Sequence, residues 1–258
     1  NAYGLTADGA AIGIELSTFT DGAGGIAAQV VSSVGGSGFG TNLKLQVDMA
    51  DFVPPNLPDG GTAPLYNDRI IAHEMVHAIM ARSTNYGSLV NNSKWFVEGA
   101  AEFIHGADER VAADIFNNGG GAAGRAAIAN ALTNGFQVTS LDYSAGYAAT
   151  RYLHEQIKAA GGTGIKDITT YMTQNPAASL DTAIANASHG AYASEAAFLT
   201  SFATNGAAFI NTFDFTNADT GAIGGADVDG GTALTASSVV PNTSSRSGND
   251  VLAGFAET

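Results

Sequence analysis

The sequence predicts an α+β fold of two lobes, a small N-terminal β-sheet with one helix below it and a helical C-terminal lobe. Three observations lead there. Apolar and polar residues alternate in two short stretches of the first fifty residues, the period of a half-buried strand. A helical segment from about Asn67 to Ala81 follows a loop rich in Pro and Gly. From about residue 108 to 210 the pattern is helical throughout, in Ala-rich segments broken by Gly, Asn or Pro.

Taken in order, the opening third reads as strand, helix, strand, helix. Ile12, Ile14 and Leu16 alternate with Gly13 and Glu15, which predicts the first strand. The stretch from about Gly25 to Val34 reads as a short helix flanked by glycines. Leu43, Leu45, Val47 and Met49 alternate with Asn42, Lys44, Gln46 and Asp48, a second and cleaner strand. Asn67 or Asp68 can cap the next helix. A loop over about Asn85 to Asn92 precedes another helical segment starting near Ser93 or Lys94. Residues 1–215 thus read as one folded domain, with an N-terminal lobe over about 1–82 and a helical lobe over about 93–215. Residues 216–258 turn to Gly, Ala, Ser, Thr and Asn and read as a return segment or linker.

Composition narrows the classes of function. Ten basic against 24 acidic residues leave a net charge of −14, which disfavours nucleic acid and anionic membrane surfaces as partners. No run of about 18 apolar residues exists to span a bilayer. The chain has no cysteine, so disulfides, thiolate metal sites and thiol nucleophiles are all excluded. It opens at Asn1 without a basic-then-apolar leader, which reads as a mature form or an excised segment.

His73-Glu74-Met75-Val76-His77 is an H-E-x-x-H motif within the predicted helix. Residues four apart share one helix face, so both imidazoles can bind one tetrahedral metal. Glu74, next to the first histidine, can act as general base on a water at that metal. Ile70, Ile71, Ala72, Val76, Ile79 and Met80 mark the helix as buried, where two unpartnered histidines and a glutamate would be costly. Zinc is the expected ion, since it lowers the pKa of bound water to about 7. A third ligand is needed, and the segment W-F-V-E-G-A-A-E-F offers Glu98 and Glu102, four apart amid aromatics. One can complete the metal site and the other can hold a ligand histidine by its free ring N–H.

These residues carry a resemblance. H-E-M-V-H, followed 21 residues after His77 by Glu98 directly before Gly99, resembles the gluzincin peptidases, in particular the clostridial-type collagenases. The resemblance implies a gluzincin-like zincin fold with Glu98 as third zinc ligand and Glu102 in support. A narrower likeness joins D-R-I-I-A-H-E-M-V-H-A-I-M and W-F-V-E-G-A-A-E-F-I-H-G-A-D-E-R-V, which resemble the flagellinolysins, peptidase domains inserted in the outward-facing part of bacterial flagellins. It covers about Asp68 to Val111, and the coiled-coil ends of a flagellin are not in this sequence. The expectations that follow are a zinc endopeptidase, protein or peptide substrates, an extracellular place on the flagellar filament, and neighbouring flagellin subunits as partners.

The same resemblance implies three further features. The strand before the motif helix, with Leu43, Leu45 and Val47, would be the sheet edge to which substrate pairs. A tyrosine of the helical lobe would stabilise the oxyanion, with Tyr143 favoured over Tyr147. Calcium is compatible, with Asp48, Asp51, Asp108 and Glu109 as acidic positions, although no loop has the spacing of a dedicated calcium site. His105, His154 and His189 read as ordinary surface or core histidines, and Arg110 as a partner of Asp108 or of the glutamates. Two rival readings stand beside the flagellar peptidase: a structural or adhesive filament domain with a non-catalytic metal site, and a free secreted peptidase.

Overall fold

The computed structural model describes residues 3–6, 9–36, 38–52, 61–62 and 65–215, with side chains placed from Arg69 onward in the last stretch. The segment 216–258 and the side chains of Asn67 and Asp68 lie outside the described residues. The architecture is α+β, as the sequence predicts.

Three strands form the N-terminal sheet: β1 (Gly13–Ser17), β2 (Ala28–Val34) and β3 (Gly40–Asp48). Their order is β1-β3-β2, with β1 parallel and β2 antiparallel to β3. Two expectations are corrected here. The stretch from Gly25 to Val34 is not a helix, because Val30 finds its place opposite Leu45 and Ala28 opposite Val47. Its β-branched valines suit a pleated surface better than a helix once that partner strand exists. The strand bearing Leu43, Leu45 and Val47 is interior rather than an edge. Those three side chains are buried, and Leu45 and Val47 pack with Ile70, Ile71 and Met75 of the helix below. The edges belong to β1 and β2. On β1, Ile14 and Leu16 share the face of Leu45 and Val47 yet are 66% and 64% exposed, so that strand overhangs the helix. A two-residue hairpin, β4 (Gly61–Thr62) with β5 (Leu65–Tyr66), leads into the first helix.

That helix, α1 (Asn67–Ser83), carries the H-E-x-x-H motif. The predicted loop after it is instead a short helix, α2 (Tyr86–Asn92), started by Asn85, whose side chain accepts from the Ser88 N–H, and seated by the buried Leu89. Seven more helices follow among the described residues: α3 (Lys94–His105), α4 (Asp108–Asn117), α5 (Gly121–Ala131), α6 (Ser140–Ala159), α7 (Ile165–Gln174), α8 (Leu180–Ala187) and α9 (Glu195–Ile210). None of the described helices is long and apolar enough to cross a membrane.

One large core joins the helices, with Phe96, Leu153, Phe198 and Phe202 almost wholly enclosed and the Trp95 ring stacked 5.5 Å from Phe198. The start of α3 is tied to α9 by Glu195, which accepts from the Ser93 hydroxyl at 2.7 Å and the Trp95 indole at 2.5 Å. The axis of the lobe is the crossing of α3 with α6. Gly99 lies so close to Gly146 that a Cβ at Gly99 would sit 2.4 Å from the Gly146 carbonyl oxygen and 2.6 Å from Thr150 Oγ1. Because Gly99 is between Glu98 and Glu102, this contact sets how far both carboxylates reach toward α1.

Gly99→Ala must therefore push α3 and α6 apart. We expect a loss of about 1–3 kcal/mol in stability, the usual cost of overpacking, read as a lowered thermal midpoint. A fully stable Gly99→Ala protein would show that the crossing is looser than the structure has it.

Candidate metal centre

The motif histidines face α3 from one side of α1, and their rings meet edge-on with centroids 4.6 Å apart. His77 Nε2 lies 2.9 Å from His73 Nε2, and Glu98 Oε2 lies 3.1 Å from each of them. Both histidines are buried, and 2.9 Å leaves no room for a water between the two nitrogens. Two imidazole nitrogens cannot face each other at that distance unless a proton or a cation lies between them. Ligands held tetrahedrally 2.0–2.1 Å from zinc stand about 3.3 Å apart. The triangle of His73, His77 and Glu98 matches that spacing to within a few tenths of an ångström and can hold such an ion.

A second layer holds the first. His73 Nδ1 is 3.0 Å from Glu102 Oε1. Glu102, 1% exposed, accepts from Arg110 Nε at 3.2 Å and has His105 Nε2 at 3.6 Å. A carboxylate on the outer nitrogen of a ligand histidine fixes its tautomer and aim. Arg69, near the start of α1, grips both carboxylate oxygens of Glu109 and donates to the Gly106 carbonyl at 3.3 Å, tying the motif helix to the junction of α3 and α4.

Burial and charge work against each other throughout the site. Burial would depress His73, but hydrogen bonds to Glu102 and Glu98 and the charges of Glu102 and Glu74 outweigh it and lift its pKa to about 10. Burial opposes ionisation of Glu98, yet its hydrogen bonds to His73 and His77 hold it at about 2. Glu102 too stays well below the ordinary range despite burial, chiefly through Arg110 and His105. Glu74 goes the other way: its burial raises it, with His77 and His73 pulling it down less strongly. His105 is lowered by burial.

A cleft of about 380 Å³ opens beside the triangle, lined by Gly25 to Ala28, His73, Glu74, Glu102, His105, Arg110, Val138 and Tyr143 among others. Of the two tyrosines the sequence offers, only Tyr143 is here, its ring 6.0 Å from that of His73 and under the Arg110 guanidinium at 5.1 Å. Tyr147 is a core residue whose hydroxyl donates to Asp108 at 2.6 Å and accepts from Arg151 at 2.9 Å. Tyr143 is placed by a capping box in which Thr139 and Asp142 bond reciprocally at the start of α6. The Asp142 carboxylate also takes the N–H groups of Gln137 and Thr139, and between them Val138 is held at φ 63, a conformation rare for a β-branched residue.

The other expectations distribute as follows. Arg110 pairs with Glu102 rather than Asp108. His154 is a core histidine against Phe103, and His189 lies exposed in a turn. The four acids considered for calcium each have protein partners: Asp48 with two backbone N–H groups, Asp51 with Gly24 N, Asp108 with Tyr147 and Arg151, Glu109 with Arg69. Both clusters of metal-ligating side chains among the described residues lie at this one site. His105 was missed as a site residue, although 98, 102 and 105 follow the i, i+4, i+7 stripe of one helix face. Tyr86, whose ring is 6.1 Å from that of His77, was also missed.

The family model described as Collagenase matches residues 62–162. That match supports a zinc metallopeptidase related to the collagenases. It runs from β4 through α6 and so takes in both motif segments, Tyr143 and the supporting residues Glu102 and Arg110. No curated protein and no solved structure matches the chain.

Glu102→Gln keeps the shape of this support and removes its charge. We expect zinc affinity to fall about tenfold to a hundredfold, measured by competition with a chromophoric chelator, and to fall further for Glu98→Ala. Affinity within twofold of wild type in Glu102→Gln would mean that His73 needs no such partner.

Proposed function

We propose that the chain is a zinc-dependent endopeptidase acting on extracellular proteins, and that it is the peptidase domain of a proteolytic flagellin. The observation that carries the peptidase reading is Glu74, set on the cleft beside the His73, His77 and Glu98 triangle. A zinc site that served stability alone would have no use for it. The flagellar assignment is supported by the resemblance of the segments around His73 and Glu98 to the flagellinolysins, and the extracellular location follows from it.

In this reading His73, His77 and Glu98 hold the zinc. When bound, the ion supplies a Lewis acid that polarises the scissile carbonyl and acidifies water. Glu74 takes a proton from the attacking water and hands it to the departing amine. Its burial raises its pKa, which makes it a stronger base than an exposed carboxylate. Glu102 keeps the His73 ring aimed, with Arg110 compensating its charge. Tyr143 donates to the carbonyl oxygen as that atom gains charge. Substrate lies extended along β2 in place of the interior β3. Among the described residues β2 pairs on one side only, and the chain leading into it, Gly25 to Ala28, lines the cleft.

Glu74→Gln tests this directly. Cleavage of a denatured protein substrate, read by mass spectrometry, should fall about 10²–10⁴-fold while metal analysis still finds zinc bound. Undiminished cleavage by that variant would sink the assignment.

A further inference from the structure

A second tyrosine stands beside the triangle, against His77. Tyr86 opens α2, and its ring lies 6.1 Å from that of His77 at an interplanar angle of 58°. Tyr143 stands to His73 in nearly the same relation, at 6.0 Å and 58°. Each imidazole of the triangle is thus flanked by one phenol. A half-buried tyrosine ordinarily finds a hydrogen-bond partner for its hydroxyl. Neither of these two has one among the described residues.

Tyr86 is held firmly. Its backbone N–H donates to the Thr84 carbonyl at 2.8 Å, and the Thr84 hydroxyl donates to Met80 O at 2.7 Å, which fastens the turn to the last turns of α1. Asn85 accepts from Ser88 N and donates to Pro176 O, both at 3.3 Å. On its other side the turn meets the sheet, since a Cβ at Gly87 would be 3.7 Å from Val34 of β2. The Ala28 end of β2 lines the cavity with Tyr143, and its Val34 end lies at α2. One end of β2 thus lies toward Tyr143 and the other toward the turn that carries Tyr86.

We propose that Tyr86 is a second hydroxyl of the reaction site, donating a hydrogen bond to the substrate carbonyl oxygen from the His77 side while Tyr143 donates from the His73 side. This rests on the zinc peptidase reading above. A donor aimed at the oxygen as it acquires charge stabilises the transition state more than the bound substrate. Removing it should therefore lower kcat and leave KM little changed.

Tyr86→Phe removes the hydroxyl and keeps the ring against His77. The experiment compares it with wild type and Tyr143→Phe in the zinc-loaded full chain, by peptide turnover and by calorimetry. Two calorimetric probes are used: a phosphinic peptide, which presents a tetrahedral anion, and the corresponding product peptide. We expect Tyr86→Phe to lose about tenfold or more in kcat and the same factor in phosphinate affinity, with product affinity and bound zinc unchanged. Equal kcat and phosphinate affinity in Tyr86→Phe and wild type would overturn the proposal while leaving the peptidase reading intact. Equal losses of product and phosphinate affinity would also overturn it, since they indicate general packing rather than a donor. A zinc-loaded wild type that neither cleaves peptide nor binds phosphinate would overturn both.

Discussion

Everything in this molecule that bears on chemistry depends on one close approach, the 2.9 Å between the Nε2 atoms of His73 and His77 with Glu98 Oε2 at 3.1 Å from each. Left alone, that arrangement sets two lone pairs against each other and buries a carboxylate. A cation at the centre turns each repulsion into a coordinate bond. The surrounding structure resists relaxation of the triangle in two ways. Glu102 and Arg110 hold the His73 ring from behind, and the Gly99–Gly146 crossing keeps α3 from withdrawing Glu98. The core around Trp95 and Phe198 then makes that crossing rigid.

Much of this was legible in the sequence, and the reasons differ by element. His73, Glu74 and His77 are readable because helical spacing alone places two ligands on one face. Glu98 and Glu102 are readable for the same reason, since a carboxylate pair amid Trp95, Phe96 and Phe103 needs a cation nearby. Helical periodicity likewise gave the C-terminal lobe. The sheet was harder. Gly25 to Val34 is short, apolar and flanked by glycines, so local pattern does not separate helix from strand, and pairing with β3 decides it. The order β1-β3-β2 depends on which strand reaches which neighbour, which alternation along a single strand does not encode.

The residues that sequence reasoning passed over share a feature. His105 and Tyr86 belong to neither motif, and each enters the site because of where a helix begins or ends. His105 is the last residue of α3, carried to Glu102 by the same turn of helix that orients the carboxylate. Tyr86 is the first residue of α2, carried to His77 by a capped turn in a stretch whose Gly, Ser and Asn content reads as loop. Tyr143 could be preferred to Tyr147 only by its place beyond the capping box. Four residues separate them, about 40° past a full turn, and position along the axis does the rest: Tyr143 lines the cleft while the Tyr147 hydroxyl goes to Asp108.

Charge explains why the centre suits a divalent ion. Glu74, Glu98 and Glu102 bring three negative charges into a largely enclosed space, and Arg110 supplies one positive charge against Glu102. Arg69 does not enter this balance, because Glu109 occupies it. Two negative charges remain uncompensated, which is what a doubly charged ion between His73, His77 and Glu98 would neutralise. The same negative charge lifts the buried His73, which desolvation should keep neutral, to about 10. Glu74 gains from the same balance. It lines the cleft beside the triangle without belonging to it, which in the proposed reaction would leave its carboxylate free to accept and pass on a proton. In the proposed reaction the separation of roles is built into the helix: ligation would fall to the residues at i and i+4, and the base to the one between them that lines the cleft.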